Sequence, residues 1–147
     1  MKKLLTTVSM FFLLAFFACN SDNADHLSEN ELRDKIMAVH DEVMPKMGEI
    51  HNLGKKLKQL SKTQLADEDG ASKTIVSAIE YLEKADDGMM DWMGDFKQPS
   101  KLRGNKSHEE IMAYLNGQLK QVNQVKKDIN GSIEKAKELL DSYSKAE

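Results

Sequence analysis

From Ile36 onward, apolar residues return every third or fourth position. Ile36, Val39, Val43, Met47, Ile50, Leu53, Leu57 and Leu60 fall on one face of a helix. Ser28-Glu29-Asn30-Glu31, just ahead of them, has the spacing of a capping box and predicts the helix start. Lys55, Lys56, Lys58 and Lys62 crowd the far end, where the helix dipole favours cations. Pro45 interrupts the pattern. It falls opposite Ile36, toward solvent, where a proline bends a helix rather than ending it. The prediction is one kinked helix, 29–62. A second seam, Ile75, Ala78, Leu82, Ala85, Met89, Trp92 and Phe96, alternates three- and four-residue steps and predicts a helix over 72–96. A third helix, 108–144, follows a second capping box, Ser107-His108-Glu109-Glu110. It turns Ile111, Leu115, Val122, Val125, Ile129, Ile133, Ala136, Leu140 and Tyr143 inward. Gly131 weakens it by about 1 kcal/mol relative to alanine without stopping it. The connections, 63–71 around Gly70 and 97–106 around Pro99 and Gly104, are short, so successive helices should run antiparallel. The expected fold is all-α, an up-down-up three-helix bundle with long helices. A long hairpin that completes its core by dimerising is the alternative.

The first residues break this pattern. Lys2 and Lys3 precede an apolar run, Leu4 to Ala18, interrupted only by Thr6, Thr7 and Ser9. The run is short for a membrane span and has the charge layout of a secretory signal. It ends on Ala18-Cys19, with the chain's one cysteine after a small residue. This arrangement resembles the bacterial lipoprotein signal, in which the cysteine is acylated and becomes the first residue. Phe16 stands where a leucine is usual. An ordinary signal peptide with a chance cysteine, or an uncleaved anchor, are the competing readings. The expected organisation is a cleaved signal over 1–18, an acylated Cys19 with a polar tether to residue 28, and a helical domain over 29–147. The expected location is the bacterial cell envelope, lipid-anchored in the outer membrane.

Composition narrows the chemistry. The chain is 31% charged and 6% aromatic, with two prolines, which suits a helical protein. Net charge is −3 with both signs interspersed, so nothing points to nucleic acid. With Cys19 acylated, neither a disulfide nor a thiolate site remains. There is no Cys-x-x-Cys-His, Glu-x-x-His or His-Glu-x-x-His for covalent haem, a di-iron centre or a zinc protease. His40-Asp41-Glu42 and His108-Glu109-Glu110 hold catalytic residue types, but neighbours on a helix point about 100° apart and should not converge. Asp67, Glu68 and Asp69 lack the alternation of a calcium loop and fit the approach to a helix N-terminus. Asp86, Asp87, Asp91 and Asp95 read as a solvated face, with Asp86 nearest the seam and placed to meet a lysine. The expectation is a protein that is not an enzyme.

Methionine carries the remaining signal. Two of the nine, Met1 and Met10, leave with the signal; the seven that remain are Met37, Met44, Met47, Met89, Met90, Met93 and Met112. In an up-down-up bundle they gather at one end with His40, Trp92 and His108. Met37, His40, Met44, Met47 and His51 form one stripe on the first helix. One reading is core packing, for which methionine is an adaptable filler. A second is a flexible groove, with Met37, Met89, Trp92 and Met112 receiving a protein partner, a second copy or an apolar ligand. A third is a soft-metal site of His40, Met44, Met47, His51, Met90 and Met93. Thioether and imidazole suit Cu(I), the one metal cofactor this pattern admits; otherwise none is expected. Non-covalent haem between a histidine and a methionine stays open. The function expected first is membrane-tethered binding or scaffolding through the Met-rich end. Periplasmic Cu(I) binding or buffering is the alternative.

The loop 97–106 carries Lys97, Lys101, Arg103 and Lys106 and no acid. An eight-residue tether reaches at most roughly 25–30 Å, which keeps this end near the membrane. These cations are candidates for anionic headgroup contact. Finally, His40-Asp41-Glu42-Val43-Met44-Pro45-Lys46-Met47-Gly48-Glu49-Ile50 and Met89-Met90-Asp91-Trp92-Met93 resemble the two hallmark segments of a group of small bacterial lipoproteins. That group often carries the label "viral A-type inclusion protein". The resemblance spans most of the mature chain. It implies an exported helical lipoprotein and carries over no activity.

Overall fold

The computed structural model describes the backbone of residues 2–64 and 69–145 and the side chains of 22–63 and 72–145. The expected signal over 1–18, the Cys19 side chain and the acidic residues Asp67 and Glu68 lie outside the described parts. The protein is all-α: α1 (Lys2–Val43), a 3-10 turn (Met44–Lys46), α2 (Met47–Gln64), α3 (Asp69–Asp95), a short α4 (Pro99–Leu102) and α5 (His108–Ser144). No strand occurs among the described residues. None of the described helices is long and apolar enough to cross a membrane.

α1 is longer than expected. It begins at Lys2, so Ser28 is an interior helical residue and not an N-cap. Residues 20–27 hold no glycine or proline to stop a helix, and their backbone continues into it. The Ser28 hydroxyl donates back to the Asp25 carbonyl at 2.9 Å, the hydrogen bond a serine makes inside a helix. The second capping box behaves as expected. The Ser107 N–H donates to Glu110 Oε2 at 2.9 Å, and the Glu110 N–H donates to Ser107 Oγ at 3.3 Å. Pro45 is exposed, as its position predicts, and its missing N–H tightens Met44–Lys46 into a 3-10 turn before α2 resumes.

The chain forms two compact units. One comprises residues 1–35 and 97–116, the other 36–96 and 117–147. In the first, Leu32, Pro99, Leu102, Ile111 and Leu115 are the buried apolar residues. Segment 97–106 is therefore not an open loop: α4 buries both its proline and its leucine.

In the second unit the expected seams supply the core. Ile36, Val43, Met47, Ile50, Leu53 and Leu57 are buried, as are Ile75, Ala78, Leu82, Ala85, Met89 and Trp92, and Val122, Ile129, Ile133 and Ala136. α2 packs along α3. Side-chain pairs fix the directions. His51–Asp86 and Lys58–Glu83 run in opposite order along α2 and α3, so these two are antiparallel. Glu42–Lys126 and Glu49–Lys137 run in the same order, so this part of α5 follows the direction of α1 and α2. These exposed ion pairs add at most about 1 kcal/mol each; their value here is that they report the register.

Candidate functional site

The stripe on α1 and the end of α3 meet in the second unit. His40 Nε2 lies 3.2 Å from Met93 Sδ, across 53 residues of sequence. His40 Nδ1 lies 2.8 Å from Asp41 Oδ1. An ionised carboxylate can only accept a hydrogen bond, so Nδ1 carries the hydrogen and in the neutral ring Nε2 carries the lone pair. Asp41 corrects the expectation that neighbours on a helix do not converge: its short side chain swings back to the imidazole. The Trp92 ring lies 5.8 Å from the His40 ring, centroid to centroid, and the Phe96 ring lies 5.2 Å from Trp92, tilted by 31°. Trp92 is 6% exposed, and its indole N–H has no hydrogen-bond partner among the described residues.

The other stripe residues separate by depth. Met47 and Met89 are buried, and with Trp92 they belong to the core; none of the three is presented as a surface. Met37, Met44 and Met93 are half-buried, and Met90 is 56% exposed. Antiparallel register places Met44 one turn beyond His40, level with Met89 and Met90 one turn before Met93. His51 leaves the group. It lies roughly 16 Å further along the helix path and pairs with Asp86 at 3.3 Å, in an open groove with Gly54, Lys55, Lys58 and Glu83. Asp86 thus meets a histidine where a lysine was expected. Met112 belongs to the first unit, half-buried on α5. Among the described residues, no three of His, Cys, Asp and Glu gather as a metal site. The chemistry at His40 is that of thioether and imidazole.

The first unit contains a polar cluster that the periodicity did not reveal. The Glu29 side chain is 2% exposed, yet it is ionic. Arg103 Nε donates to its Oε2 at 2.7 Å and His108 Nδ1 to its Oε1 at 3.0 Å. Arg103 Nη2 also donates to Asn30 Oδ1 at 3.3 Å, and His108 Nε2 faces Asp25 Oδ1 at 3.7 Å. Burial pushes the Glu29 carboxyl up, but the hydrogen bonds from His108 and Arg103 and their charges outweigh it, and the net shift is downward. The hydrogen bond to Glu29 raises His108 above its ordinary value, helped by the charges of Asp25, Glu29 and Glu109. Arg103 is therefore committed inside the protein and is not a free headgroup contact. Lys97 and Lys101 remain exposed, the Lys97 N–H donating to Tyr114 Oη at 2.7 Å, and Lys106 reaches toward Glu110 at 4.0 Å. A capping box with an arginine some seventy residues on could have signalled this cluster only if the helix register were known.

No protein-family model, no curated protein and no solved structure matches this chain.

Proposed function

We propose that this is a lipid-anchored binding protein of the bacterial envelope, acylated at Cys19 and built as an up-down-up three-helix bundle, with its ligand received on the Met/His face of the second unit. The observation that carries this reading is the half-open state of that face. His40, Met37, Met44 and Met93 stop short of full burial and Met90 is largely exposed, although the His40 ring lies 5.8 Å from the buried Trp92. A core built only to pack would place its thioethers where Met89 sits, with no exposure at all. The reading is non-enzymatic. The most buried ionisable cluster, around Glu29, has its carboxylate oxygens occupied by Arg103 and His108 and holds elements together.

The test reads occupancy without presupposing the ligand. Purified protein and intact envelopes are treated with a mild oxidant, and conversion of each methionine to its sulfoxide is followed by mass spectrometry. Met90 should oxidise first in the purified protein. In envelopes Met90, Met93 and Met44 should be protected relative to Met112. The same order and extent of oxidation in both preparations would reject a ligand at this face.

A further inference from the structure

The geometry points to a Cu(I) site formed by His40 Nε2 and Met93 Sδ, with Met44 as third donor. This inference rests on the reading that the Met/His face binds a ligand, and names that ligand as a soft monovalent cation.

The contact itself makes the case. Nδ1 of His40 gives its hydrogen to Asp41 at 2.8 Å, so the neutral ring presents a lone pair at Nε2. What it meets at 3.2 Å is a thioether sulfur, which also has only lone pairs to offer. A hydrogen on Nε2 makes this contact an N–H···S hydrogen bond; without it, the two lone pairs converge on one point that a soft cation can occupy. An imidazole nitrogen and thioether sulfurs together select Cu(I) over hard or borderline ions, which prefer oxygen donors or a fuller set of nitrogen and thiolate ligands. The described side chains offer no three of His, Cys, Asp and Glu that would favour those ions instead.

The surroundings fit. A carboxylate on the far nitrogen of a ligating histidine fixes its tautomer and raises its basicity, and Asp41 occupies that place. Met44 sits four residues beyond His40 on the same face. Met44 opens the 3-10 turn and is half-buried, and its i, i+4 spacing from His40 puts its thioether within reach as a third donor. The Met93 side chain has several rotatable bonds and can swing to admit an ion. Trp92, whose ring lies 5.8 Å from the imidazole, offers an aromatic face to a bound cation. It is the chain's one tryptophan, so its fluorescence reports on this site alone.

The experiment uses the full acylated chain in detergent. Cu(I) is titrated under anaerobic, reducing conditions against a chromophoric Cu(I) chelator, with Trp92 emission followed in parallel and circular dichroism recorded for every variant. The expected result is one equivalent of Cu(I) bound at micromolar protein with Trp92 quenched. His40→Gln and Met93→Leu should abolish stoichiometric binding while keeping the helical spectrum. Asp41→Asn should weaken it by roughly tenfold, through the orientation of His40. His51→Gln should leave it unchanged. Absence of stoichiometric Cu(I) binding, equal binding by the wild type and the Met93→Leu variant, or displacement of Cu(I) by an equal concentration of Zn(II) would each overturn the assignment. If methionine protection in envelopes persists without Cu(I) binding in vitro, the copper assignment falls and the binding face stands; if both are absent, both fall.

Discussion

Replacing Glu29 by glutamine keeps the side chain's shape and removes its charge. In the native structure both carboxylate oxygens accept charge-assisted hydrogen bonds, at 2.7 Å from Arg103 and 3.0 Å from His108, behind almost complete burial. An amide has one acceptor oxygen, so its NH2 group must face one of two donors. Breaking a buried ion pair costs about 3–5 kcal/mol, and a partner that keeps some solvent contact lowers that figure. Arg103 retains a quarter of its side-chain exposure, which places the cost at about 2–3 kcal/mol. The loss should be local. Arg103 follows α4, and the amides of Lys101, Arg103, Asn105 and Lys106 are held only by short-range bonds to Gln98, Pro99 and Leu102 carbonyls. Their hydrogen exchange should accelerate by roughly 30- to 150-fold in the Glu29→Gln variant, while amides of α3 around Leu82 keep their rates.

The loss depends on pH through both groups of the pair. The Glu29 carboxyl titrates below its ordinary value of 4.5, so its contribution is present above that value and is lost as pH falls through the lowered value. The His108 imidazole titrates above its ordinary 6.5, so its contribution is complete below 6.5 and is lost as pH rises through the raised value. The difference between wild type and variant should therefore be greatest between about pH 5 and 6 and shrink on both sides. Exchange rates at these four amides that match wild type throughout this range would refute the view that Glu29 holds the segment.

Three further outcomes are expected. Leu82 is 1% exposed on α3, so Leu82→Asp buries an unpaired charge and should cost about 4 kcal/mol or more; thermal unfolding within a degree or two of wild type would remove Leu82 from the core. Cys19→Ser should release the protein from membranes in cell fractionation, and wild-type membrane association without lipid at Cys19 would sink the anchor. Changing Lys97, Lys101 and Lys106 together to glutamine should weaken salt-sensitive binding of the Cys19→Ser protein to anionic vesicles, by roughly 1 kcal/mol per cation near the surface. Unaltered vesicle binding would leave these lysines with no membrane role.

What the sequence revealed was whatever a period can encode. α5 spans His108 to Ser144, as its capping box and apolar repeat indicate, and Gly131 passes within it. The seam of α3 is buried from Ile75 to Trp92, with Phe96 half-covered at its end. Pro45 lies on the solvent side, and the helical path continues past it through a 3-10 turn into α2. The start of α1 was not legible. A capping box is a local pattern that also fits inside a helix, and Ser28 turns its hydroxyl to Asp25 because the preceding residues supply no break. The buried Leu102 was missed because one turn of helix is too short to show a repeat.

The contacts between elements were hidden for a different reason. A repeat says which face of a helix turns inward; it does not say at what height two faces meet. Each residue of the Glu29 cluster had an adequate local explanation. Glu29 was part of a capping box, Arg103 was a loop cation and His108 opened a helix. They lie 74 and 79 residues from Glu29, and only the register of the first unit joins them. The same holds for His40 and Met93 in the second unit. Methionine and histidine at helical spacing are compatible with packing at nearly every relative height of α1 and α3. One height sets an imidazole nitrogen against a thioether sulfur, and a shift of one residue would rotate the sulfur by about 100° and part them. The residues that carry a periodic core are thus redundant and readable, whereas a two-residue site depends on a single offset between α1 and α3. That is why the candidate chemistry rests on the His40–Met93 contact and on its disruption by His40→Gln or Met93→Leu, and not on the number of methionines in the chain.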